Sequence, residues 1–189
     1  MKNIKIPLIL LFVLILSFFL DKSIRNLFLN LQNQYMLQIM LFISDATSIL
    51  FVIIFTLIFF LIKKRKDLLF YSIISILTSL ILVFLIKFTI NRPRPFEDLG
   101  ISSIDGSNDP SFPSGHASRV SALIPFVWIF KNFRSFILSL LILVSISRMY
   151  LQAHYLSDVI AGSILGFYIS KIFLVLSRKS NKLNKFLNK

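Results

Sequence analysis

The residues of this sequence whose side chains could take part in a reaction lie in short segments between long apolar runs. The segment "SRMYLQAHYLSD", residues 147–158, contains Arg148, His154 and Asp158. The segment "PSGHAS" contains the other histidine of the chain, His116. Ionisable groups are costly in a bilayer, so a set of them beside apolar runs is a candidate functional site.

The spacing of His154 and Asp158 indicates a nucleophile. Residues four apart share one face of a helix, with about 5–6 Å between their Cβ atoms. The carboxylate can then hold one imidazole nitrogen and leave the other free to attack. His116 belongs to another apolar run, so it can stand on the opposite side of a bound phosphorus atom and protonate the departing oxygen. The two histidines therefore predict an in-line displacement at phosphorus.

Several cationic residues are predicted to lie at the same depth in the membrane as the two histidines, because each lies near the end of an apolar run that is on the same side of the membrane. Fixed cations at one level bind a multiply charged anion, for which phosphate is the natural candidate. Ser114 and Gly115 open an apolar run whose first N–H groups are available to an anion. Ser114 also suits a simple helix cap. The cations are Lys87, Arg92, Arg94, Arg119 and Arg148.

Composition indicates the solvent that surrounds these residues. Of the 189 residues, 56% are hydrophobic, and they come in long blocks. This pattern predicts an all-α, polytopic membrane protein with one domain over residues 1–189. There is no cysteine and there are only two histidines, which argues against disulfides, cysteine nucleophiles and histidine-rich metal sites. The net charge of +13 is more typical of cytoplasmic loops and phospholipid contact than of nucleic-acid binding.

Six apolar runs are candidates to cross a hydrocarbon core of about 30 Å. The first resembles a signal peptide but lacks a small-residue cleavage site, so we expect a retained anchor. Gly162 and Gly166 in the last run predict close helix packing. The chain must reverse near residues 150–154. The runs are Ile6–Leu20, Ala46–Ile62, Leu68–Ile90, Gly115–Phe130, Phe133–Leu151 and Tyr155–Leu176.

Two segments outside these runs carry further expectations. Residues 21–45 predict an amphipathic helix on the membrane surface, with Ile24, Leu27, Phe28, Leu31 and Tyr35 on its apolar face. The acidic loop 97–109 shapes a lid or limits the access of anions, or is simply a solvated loop, which is the alternative we favour. Its carboxylates are Glu97, Asp98, Asp105 and Asp109.

Basic residues predict the orientation. The side on which they collect is cytoplasmic by the positive-inside rule, so both termini lie inside and the histidines lie at the outer face. These residues are Lys2, Lys5, Lys63, Lys64, Arg65, Lys66, Lys131, Arg134, Arg178, Lys179, Lys182, Lys185 and Lys189.

The polar segments resemble the motifs of the type 2 phosphatidic acid phosphatase (PAP2) superfamily of membrane lipid phosphatases. Its three motifs occur in the expected order within residues 87–158, and the six-span layout extends the likeness to nearly the whole chain. The matching residues are Lys87, Arg94 and Pro95 for K-x6-R-P, Pro113, Ser114, Gly115 and His116 for P-S-G-H, and Ser147, Arg148, His154 and Asp158 for S-R-x5-H-x3-D.

The resemblance implies a PAP2-like helical bundle in a bacterial inner membrane and metal-independent hydrolysis without a cofactor. It implies that His154, oriented by Asp158, forms a phosphohistidine and that His116 protonates the leaving group. The charge on the phosphate is then stabilised by Lys87, Arg94, Ser114, Gly115 and Arg148. Arg92 and Arg119 lie outside the motifs and are expected to contact substrate. The alternatives are lipid headgroup contact for Arg92 and snorkelling for Arg119.

The predicted substrate is a lipid phosphate or diphosphate, and the predicted partner is the bilayer that carries it. We favour undecaprenyl diphosphate, because recycling of this carrier requires dephosphorylation at the outer face. Lipid A 1-phosphate, phosphatidic acid and phosphatidylglycerol phosphate are alternatives. A lipid phosphotransferase, with an acceptor other than water, shares every residue of the site. A transporter is disfavoured because the second and third runs contain only isolated Thr and Ser.

Overall fold

The computed structural model describes residues 5–187, and it describes side chains as far as residue 180. Lys2 and Lys189 lie outside the described residues, as do the side chains of Lys182 and Lys185. The described residues form α-helices and one 3-10 turn, Lys131–Phe133, with no β-strand among them. The helices are α1 Lys5–Asn30, α2 Gln34–Ala46, α3 Ile49–Ile62, α4 Lys66–Ile90, α5 Pro95–Asp98, α6 Gly115–Val127, α7 Arg134–Tyr150 and α8 Leu156–Leu187. The all-α prediction is confirmed.

Helix α6 is the centre of the bundle. Ten of its 13 residues are buried, and it packs against α8, α4 and α7. The approach to α8 is close because Gly162 and Gly166 face the backbone carbonyls of Ser114 and Ser118, where a Cβ atom would collide. The predicted close packing at the two glycines is confirmed, and it fixes the start of α6 against α8.

Within residues 5–187, four helices are long and apolar enough to cross a bilayer, and they begin at Lys5, Lys66, Lys131 and Leu156. A fifth crossing results if α2 and α3, which meet at 57°, count as one bent span. The predicted count of six is not confirmed. Helices α3 and α6 have only 14 and 13 residues, or about 20 Å each. Helix α6 tolerates this length because other helices surround it.

The predicted surface helix over residues 21–45 is wrong in its boundaries. Residues 21–30 continue α1, because their apolar residues extend the same helix rather than starting a new one. Helix α2 begins after a break, where the Asn33 side chain accepts a hydrogen bond from the Met36 N–H at 3.0 Å. Of the α2 side chains, only Ser44 is buried. Asp21 consequently lies within α1 and is 3% exposed.

Two left-handed residues bring the ends of four helices together. Asn91 (φ 48°) terminates α4, and Gln152 (φ 54°) lies in the turn between α7 and α8. Asparagine tolerates this conformation better than most residues with a side chain. The predicted reversal near residues 150–154 is confirmed, although no glycine or proline makes it. The ends of α4 and α7 thus meet the starts of α6 and α8.

Candidate active site

A polar cavity of about 150 Å³ lies where these four helix ends meet. It is much smaller than a mainly apolar cavity at the opposite end of the bundle, but it is lined by the ionisable side chains that could take part in a reaction. Both histidines of the chain line it, and a loop between α5 and α6 closes one side. The lining residues are Lys87, Arg94, Ser107, Asp109, Gly115, His116, Arg119, Arg148 and His154.

His154 reaches this cavity from the turn that precedes α8. Its backbone N–H donates to the Arg148 carbonyl at 3.1 Å, which ties the turn to the end of α7. The side chain is almost fully buried, and no hydrogen-bond partner of its Nδ1 is present among the described residues. Burial, together with the charges of Arg94, Arg148 and Lys87, holds the pKa of His154 well below its ordinary value. The imidazole is therefore neutral near pH 7, as a nucleophile requires.

Asp158 lies behind His154 but does not share a helical face with it. Helix α8 begins at Leu156, so the predicted placement of both residues on one helix is wrong. The Asp158 Oδ2 is 3.6 Å from the His154 Nδ1, which is too long for a hydrogen bond. This oxygen instead accepts from the Tyr155 N–H at 2.9 Å. The carboxylate is thus near the imidazole but held by backbone.

Arg92 holds the other oxygen of Asp158 and does not line the cavity. Its Nη1 donates to Asp158 Oδ1 at 2.6 Å, and its Nη2 donates to Asp21 Oδ2 at 2.7 Å. Asp21 also accepts from the backbone and the hydroxyl of Ser157, at 2.9 and 2.5 Å. The guanidinium lies 4.1 Å from the ring centre of Tyr155. Arg92 therefore links two buried carboxylates instead of facing the cavity.

Asp21 is a residue of this network that sequence reasoning missed. Because it directly follows the run Ile6–Leu20, the sequence suggests a polar end of that run, where a carboxylate reaches water. The signal against that interpretation is that apolar residues continue at helical spacing beyond it, at Ile24, Leu27 and Phe28. Asp21 can therefore lie inside one long helix, where a buried carboxylate calls for a cation. Arg92 is that cation.

Three further cations of the cavity are almost completely buried: Lys87, Arg94 and Arg148 are 6%, 2% and 1% exposed. They come from α4, the start of α5 and the end of α7. Arg94 donates from Nη1 to the Ala153 carbonyl at 2.8 Å, and Arg148 donates from Nη1 to the Ser44 hydroxyl at 2.6 Å. Backbone and hydroxyl oxygens thus fix the direction of the two guanidinium groups.

Carboxylates of the loop between α5 and α6 pair with these same cations. Asp109 lies 2.8 Å from Lys87 Nζ and 2.6 Å from Arg94 Nη2, and Asp105 lies 2.5 Å from Arg148 Nη2. Lys87 also donates to the Pro110 carbonyl. The loop is therefore not simply solvated, and its anions lie against the cations predicted to bind phosphate.

The cations dominate the protonation of both loop carboxylates. Burial acts to raise the pKa of Asp105, but the charge of Arg148 and hydrogen bonds from Ser107 and Ser103 outweigh it and lower the value to about 2. Burial likewise acts to raise the pKa of Asp109, and Lys87 and Arg94 reverse the effect and lower it. Both groups are fully ionised at neutral pH.

The first turn of α6 supplies the remaining wall. His116 and Gly115 line the cavity, whereas Ser114 lies beneath it, fully buried, and its hydroxyl caps the helix at 3.5 Å from the Ala117 N–H. A Cβ atom at Gly115 would make only ordinary contacts, so the packing itself does not require glycine there. Arg119 donates from Nε to the Gly115 carbonyl at 3.1 Å, and no carboxylate of the described residues pairs with it.

No group of three or more His, Asp or Glu side chains within the described part of the chain is placed to hold a metal ion. The arrangement that is present is a pair of imidazoles beside four cations, which suits the displacement of an oxygen from a phosphate.

The sequence of residues 68–182 matches the PAP2 superfamily, and this match spans more than half of the chain. The chain belongs to the PAP2 superfamily. The three PAP2 motifs all meet at the cavity, through Lys87 and Arg94, through Gly115 and His116, and through Arg148 and His154. The predicted family is confirmed.

Two curated lipid A 1-phosphatases resemble this PAP2 protein in sequence. Those of Rhizobium johnstonii and Rhizobium etli are 33% and 32% identical to it over 122 residues. The matches cover 61% of this chain and 50% and 53% of the relatives. The chain thus spans about half the length of the curated relatives it matches.

Two crystal structures resemble the PAP2 protein in fold. A PAP2-type phosphatidylglycerolphosphate phosphatase from Bacillus subtilis has a TM-score of 0.73 at 23% identity, over 92% of this chain and 96% of the other. Aquifex aeolicus LpxE has a TM-score of 0.71 at 21% identity, over 82% and 94%. The predicted PAP2-like bundle is confirmed, as is a bacterial membrane protein of a phosphatase family.

Of the residues predicted for the PAP2 site, the structure brings seven together around the cavity. Ser114 and Asp158 lie directly behind this wall, and Arg92 lies further back, between Asp158 and Asp21. Sequence reasoning missed the contacts of Asp105 and Asp109 with the cations. The seven are Lys87, Arg94, Gly115, His116, Arg119, Arg148 and His154.

Proposed function

We propose that this PAP2 protein hydrolyses the phosphate ester or diphosphate of a membrane lipid through a phosphohistidine intermediate. One observation carries the proposal. The two histidines of the chain, from different elements, line one cavity together with Lys87, Arg94, Arg119 and Arg148. A cavity that presents two imidazoles and four cations is suited to a phosphate group and to a reaction at its phosphorus.

In the first step, His154 supplies the electron pair that forms a nitrogen–phosphorus bond. The bond from phosphorus to the lipid oxygen breaks, and His116 gives its proton to that oxygen. Burial, together with the neighbouring cations, lowers the pKa of His116 and favours its neutral form. A bound anionic phosphate supplies the negative charge that favours the protonated acid.

In this proposal Asp158 orients His154 by accepting a hydrogen bond from its Nδ1–H. The 3.6 Å separation needs to shorten by only about 0.6 Å to give an ordinary hydrogen bond. Arg92 and Asp21 are positioning residues in this proposal, because they fix the Asp158 carboxylate from the side away from the imidazole.

The charge on phosphorus oxygens is stabilised by Lys87, Arg94 and Arg148. Asp109 and Asp105 occupy these cations, so the phosphate exchanges places with the loop carboxylates when it binds. The loop thereby keeps the buried cations paired between turnovers, since an unpaired buried charge is costly.

In the second step, water attacks the phosphohistidine. His116, now neutral, accepts a proton from the water, the nitrogen–phosphorus bond breaks, and inorganic phosphate leaves. If an alcohol or a second phosphate enters instead of water, the same residues transfer the phosphoryl group, which is the phosphotransferase alternative.

Two substrates have specific support. The names of the two Rhizobium relatives favour lipid A 1-phosphate. Arg119, which lines the cavity without a carboxylate partner among the described residues, favours a substrate with two adjacent phosphates, such as undecaprenyl diphosphate. Phosphatidylglycerol phosphate is the substrate in the name of the Bacillus subtilis structure, whose identity of 23% supports the fold alone.

The proposed orientation places the cavity at the outer face of the bacterial inner membrane, with both termini in the cytoplasm. It rests on the distribution of charge: the opposite end carries Lys63, Lys64, Arg65 and Lys66 at the turn between α3 and α4. The positive-inside rule assigns such an end to the cytoplasm. We also propose that residues 1–189 form one domain, because the helices from α1 to α8 share one bundle.

The decisive experiment measures phosphate release by the purified protein in detergent from lipid A 1-phosphate, undecaprenyl diphosphate and phosphatidylglycerol phosphate. The His154→Ala variant is expected to lose turnover by at least about 10³-fold. Label from a radioactive lipid phosphate is expected to appear on the protein in an acid-labile, alkali-stable form. Near-normal release by His154→Ala would remove His154 as the nucleophile, and appearance of the label on an added lipid alcohol would identify a phosphotransferase.

A further inference from the structure

A second cavity, of about 630 Å³, lies at the other end of the bundle. Seven apolar and three basic side chains line it, from the end of α6, the start of α7 and the middle of α8. The volume is within the range of about 300–1,000 Å³ for small-molecule sites. The basic residues are Arg134, Lys171 and Arg178.

Unequal helix lengths create this cavity. Helix α6 ends at Val127 after 13 residues, whereas α8 continues to Leu187 over 32 residues. The two helices begin side by side at the polar cavity but are about 20 and 48 Å long. The turn from α6 to α7 is therefore shallower than the end of α8, and it leaves the flank of α8 uncovered by protein.

Among the side chains that the structure describes, none supplies a counter-charge to these three basic residues. No carboxylate lines the cavity, and none of the described carboxylates forms an ion pair with these residues. Asp67, at the turn between α3 and α4, pairs with Arg65 at 2.8 Å. A cluster of cations beside an apolar cavity at membrane depth calls for an anion from outside the chain.

The arrangement of these cations suits a lipid headgroup. Arg134 donates from Nε to the Trp128 carbonyl at 2.9 Å and lies 5.1 Å from the centre of the Trp128 ring, which fixes its position. Its terminal nitrogens have no hydrogen-bond partner among the described residues. Arg178 is seven residues beyond Lys171 on α8, so both lie on one face, about 10 Å apart along the axis. The Lys171 ammonium lies 5.9 and 6.0 Å from the ring centres of Phe167 and Tyr168, and no described carboxylate pairs with it.

We propose that this cavity binds one anionic phospholipid from the leaflet at the basic end of the bundle. Its phosphate pairs with Arg134 and Arg178, Lys171 contacts the glycerol region, and one acyl chain fills the apolar part beneath Trp128. A zwitterionic phospholipid is a poorer ligand because its own ammonium group competes with these cations for the lipid phosphate. The site does not depend on the catalytic proposal, since none of its residues lines the polar cavity.

The test uses the full chain purified in a mild non-ionic detergent, with phosphatidylglycerol or phosphatidylcholine of the same acyl chains added. Native mass spectrometry counts the bound lipid, and thermal unfolding measures its effect, because a ligand that binds the folded state raises the Tm. We expect one phosphatidylglycerol per chain and a higher Tm, and a much smaller effect of phosphatidylcholine.

The variant Arg134→Gln/Lys171→Gln/Arg178→Gln is expected to bind phosphatidylglycerol at least about tenfold more weakly. The matched control Lys66→Gln/Lys131→Gln/Lys179→Gln removes the same charge from the same end, but its residues do not line the cavity, and it is expected to bind normally. Leu138→Trp fills the cavity without a change of charge and is expected to lose the lipid as well. Phosphate release in detergent is expected to be unchanged in all three variants.

Three results would overturn the inference. They are equal Tm shifts with both lipids, equal loss of binding in the control variant, and retention of bound phosphatidylglycerol by the variant that lacks all three cavity cations. If the wild-type protein releases no phosphate, that result contradicts the proposed function but not the lipid site, because the lipid-binding measurement does not depend on turnover.

Discussion

The Asp109 carboxylate lies 2.8 Å from the Lys87 ammonium, at the point where the sequence predicts a phosphate oxygen. Its second oxygen is 2.6 Å from Arg94. A side chain on a loop thus presents to two buried cations the same chemistry that a substrate phosphate presents. The carboxylate and the phosphate cannot both hold these cations, so the loop competes with the ligand.

The Asp109→Asn variant is expected to bind inorganic phosphate about tenfold more tightly, because an amide is a weaker competitor than a carboxylate for the two cations. The inhibition constant of phosphate in a phosphate-release assay is the measurement. Asp45→Asn is the matched control, since Asp45 is exposed and outside the cavity. Weaker phosphate inhibition in Asp109→Asn would show that Asp109 holds the cations in place for substrate.

The Arg92→Gln variant is expected to lose about 3–5 kcal/mol of unfolding free energy, because it leaves Asp21 and Asp158 buried without their cation. Phosphate release is expected to fall with it, through a lower kcat, as Asp158 loses its fixed position. Denaturant unfolding and kinetics measure the two effects. The control Arg25→Gln breaks a pair with the half-exposed Asp98 at 3.7 Å and is expected to cost less than about 1 kcal/mol.

We expect the double variant Asp21→Asn/Arg92→Gln to be more stable than Arg92→Gln alone, because it removes one of the two carboxylates left without a cation. Strictly additive losses would contradict the pairing of Asp21 with Arg92.

The long apolar helices could be predicted closely from the sequence. The predicted run Leu68–Ile90 is observed as helix α4, Lys66–Ile90. A single apolar segment of this length can satisfy its backbone hydrogen bonds in lipid only as a helix. Boundaries set by tertiary contacts could not be predicted. The burial of Asp21 within α1 depends on an arginine 71 residues later, which local periodicity does not reveal.

The motif residues of the site could be predicted because their spacing is fixed by helix ends that meet. The contacts of Asp105 and Asp109 could not, because the loop that carries them has neither periodicity nor apolar pattern. Only the folded chain shows that this loop turns back onto the cations. The position of His154 outside α8 has a similar cause: the left-handed Gln152 makes a turn that residue preferences argue against.

Phosphate release is expected to continue in excess EDTA. The reason is that both chemical roles, attack and proton transfer, are assigned to imidazoles, and the charge is assigned to Lys87, Arg94 and Arg148. Assays with and without a chelator, followed by the addition of Mg²⁺ or Zn²⁺, measure the effect. Loss of activity in EDTA that either metal restores would contradict the predicted metal independence.

Stability is expected to fall as the pH falls below about 6.5, in part through His154. The pKa of His154 in the folded protein lies well below its ordinary value, so the unfolded chain binds more protons once the pH is below about 6.5. The contribution of neutral His154 to the unfolding free energy is fully present above that pH, and it is lost as the pH falls towards the pKa of His154 in the folded protein. Unfolding of wild type and His154→Gln between pH 5 and 8, in steps of about 0.5, is the measurement.

The difference in unfolding free energy between wild type and His154→Gln should be constant above about pH 6.5 and should change below it. A constant difference throughout would contradict the depressed pKa. Asp105 acts in a separate window: its folded pKa of about 2 lies below the ordinary value, so its contribution is lost only as the pH falls from about 4 towards 2.

The Gly162→Ala variant is expected to be destabilised by about 1–3 kcal/mol and to lose most of its phosphate release. The added methyl group would collide with the Ser114 carbonyl, and α6 would have to move away from α8. Because α6 carries His116 and the turn before α8 carries His154, the two imidazoles would separate. Denaturant unfolding and kcat are the measurements. The control is the adjacent Ser163→Ala variant, which removes a side-chain hydrogen bond to the Val159 carbonyl of the same helix and is expected to remain active. Full activity in Gly162→Ala would show that the spacing of α6 and α8 does not control the site.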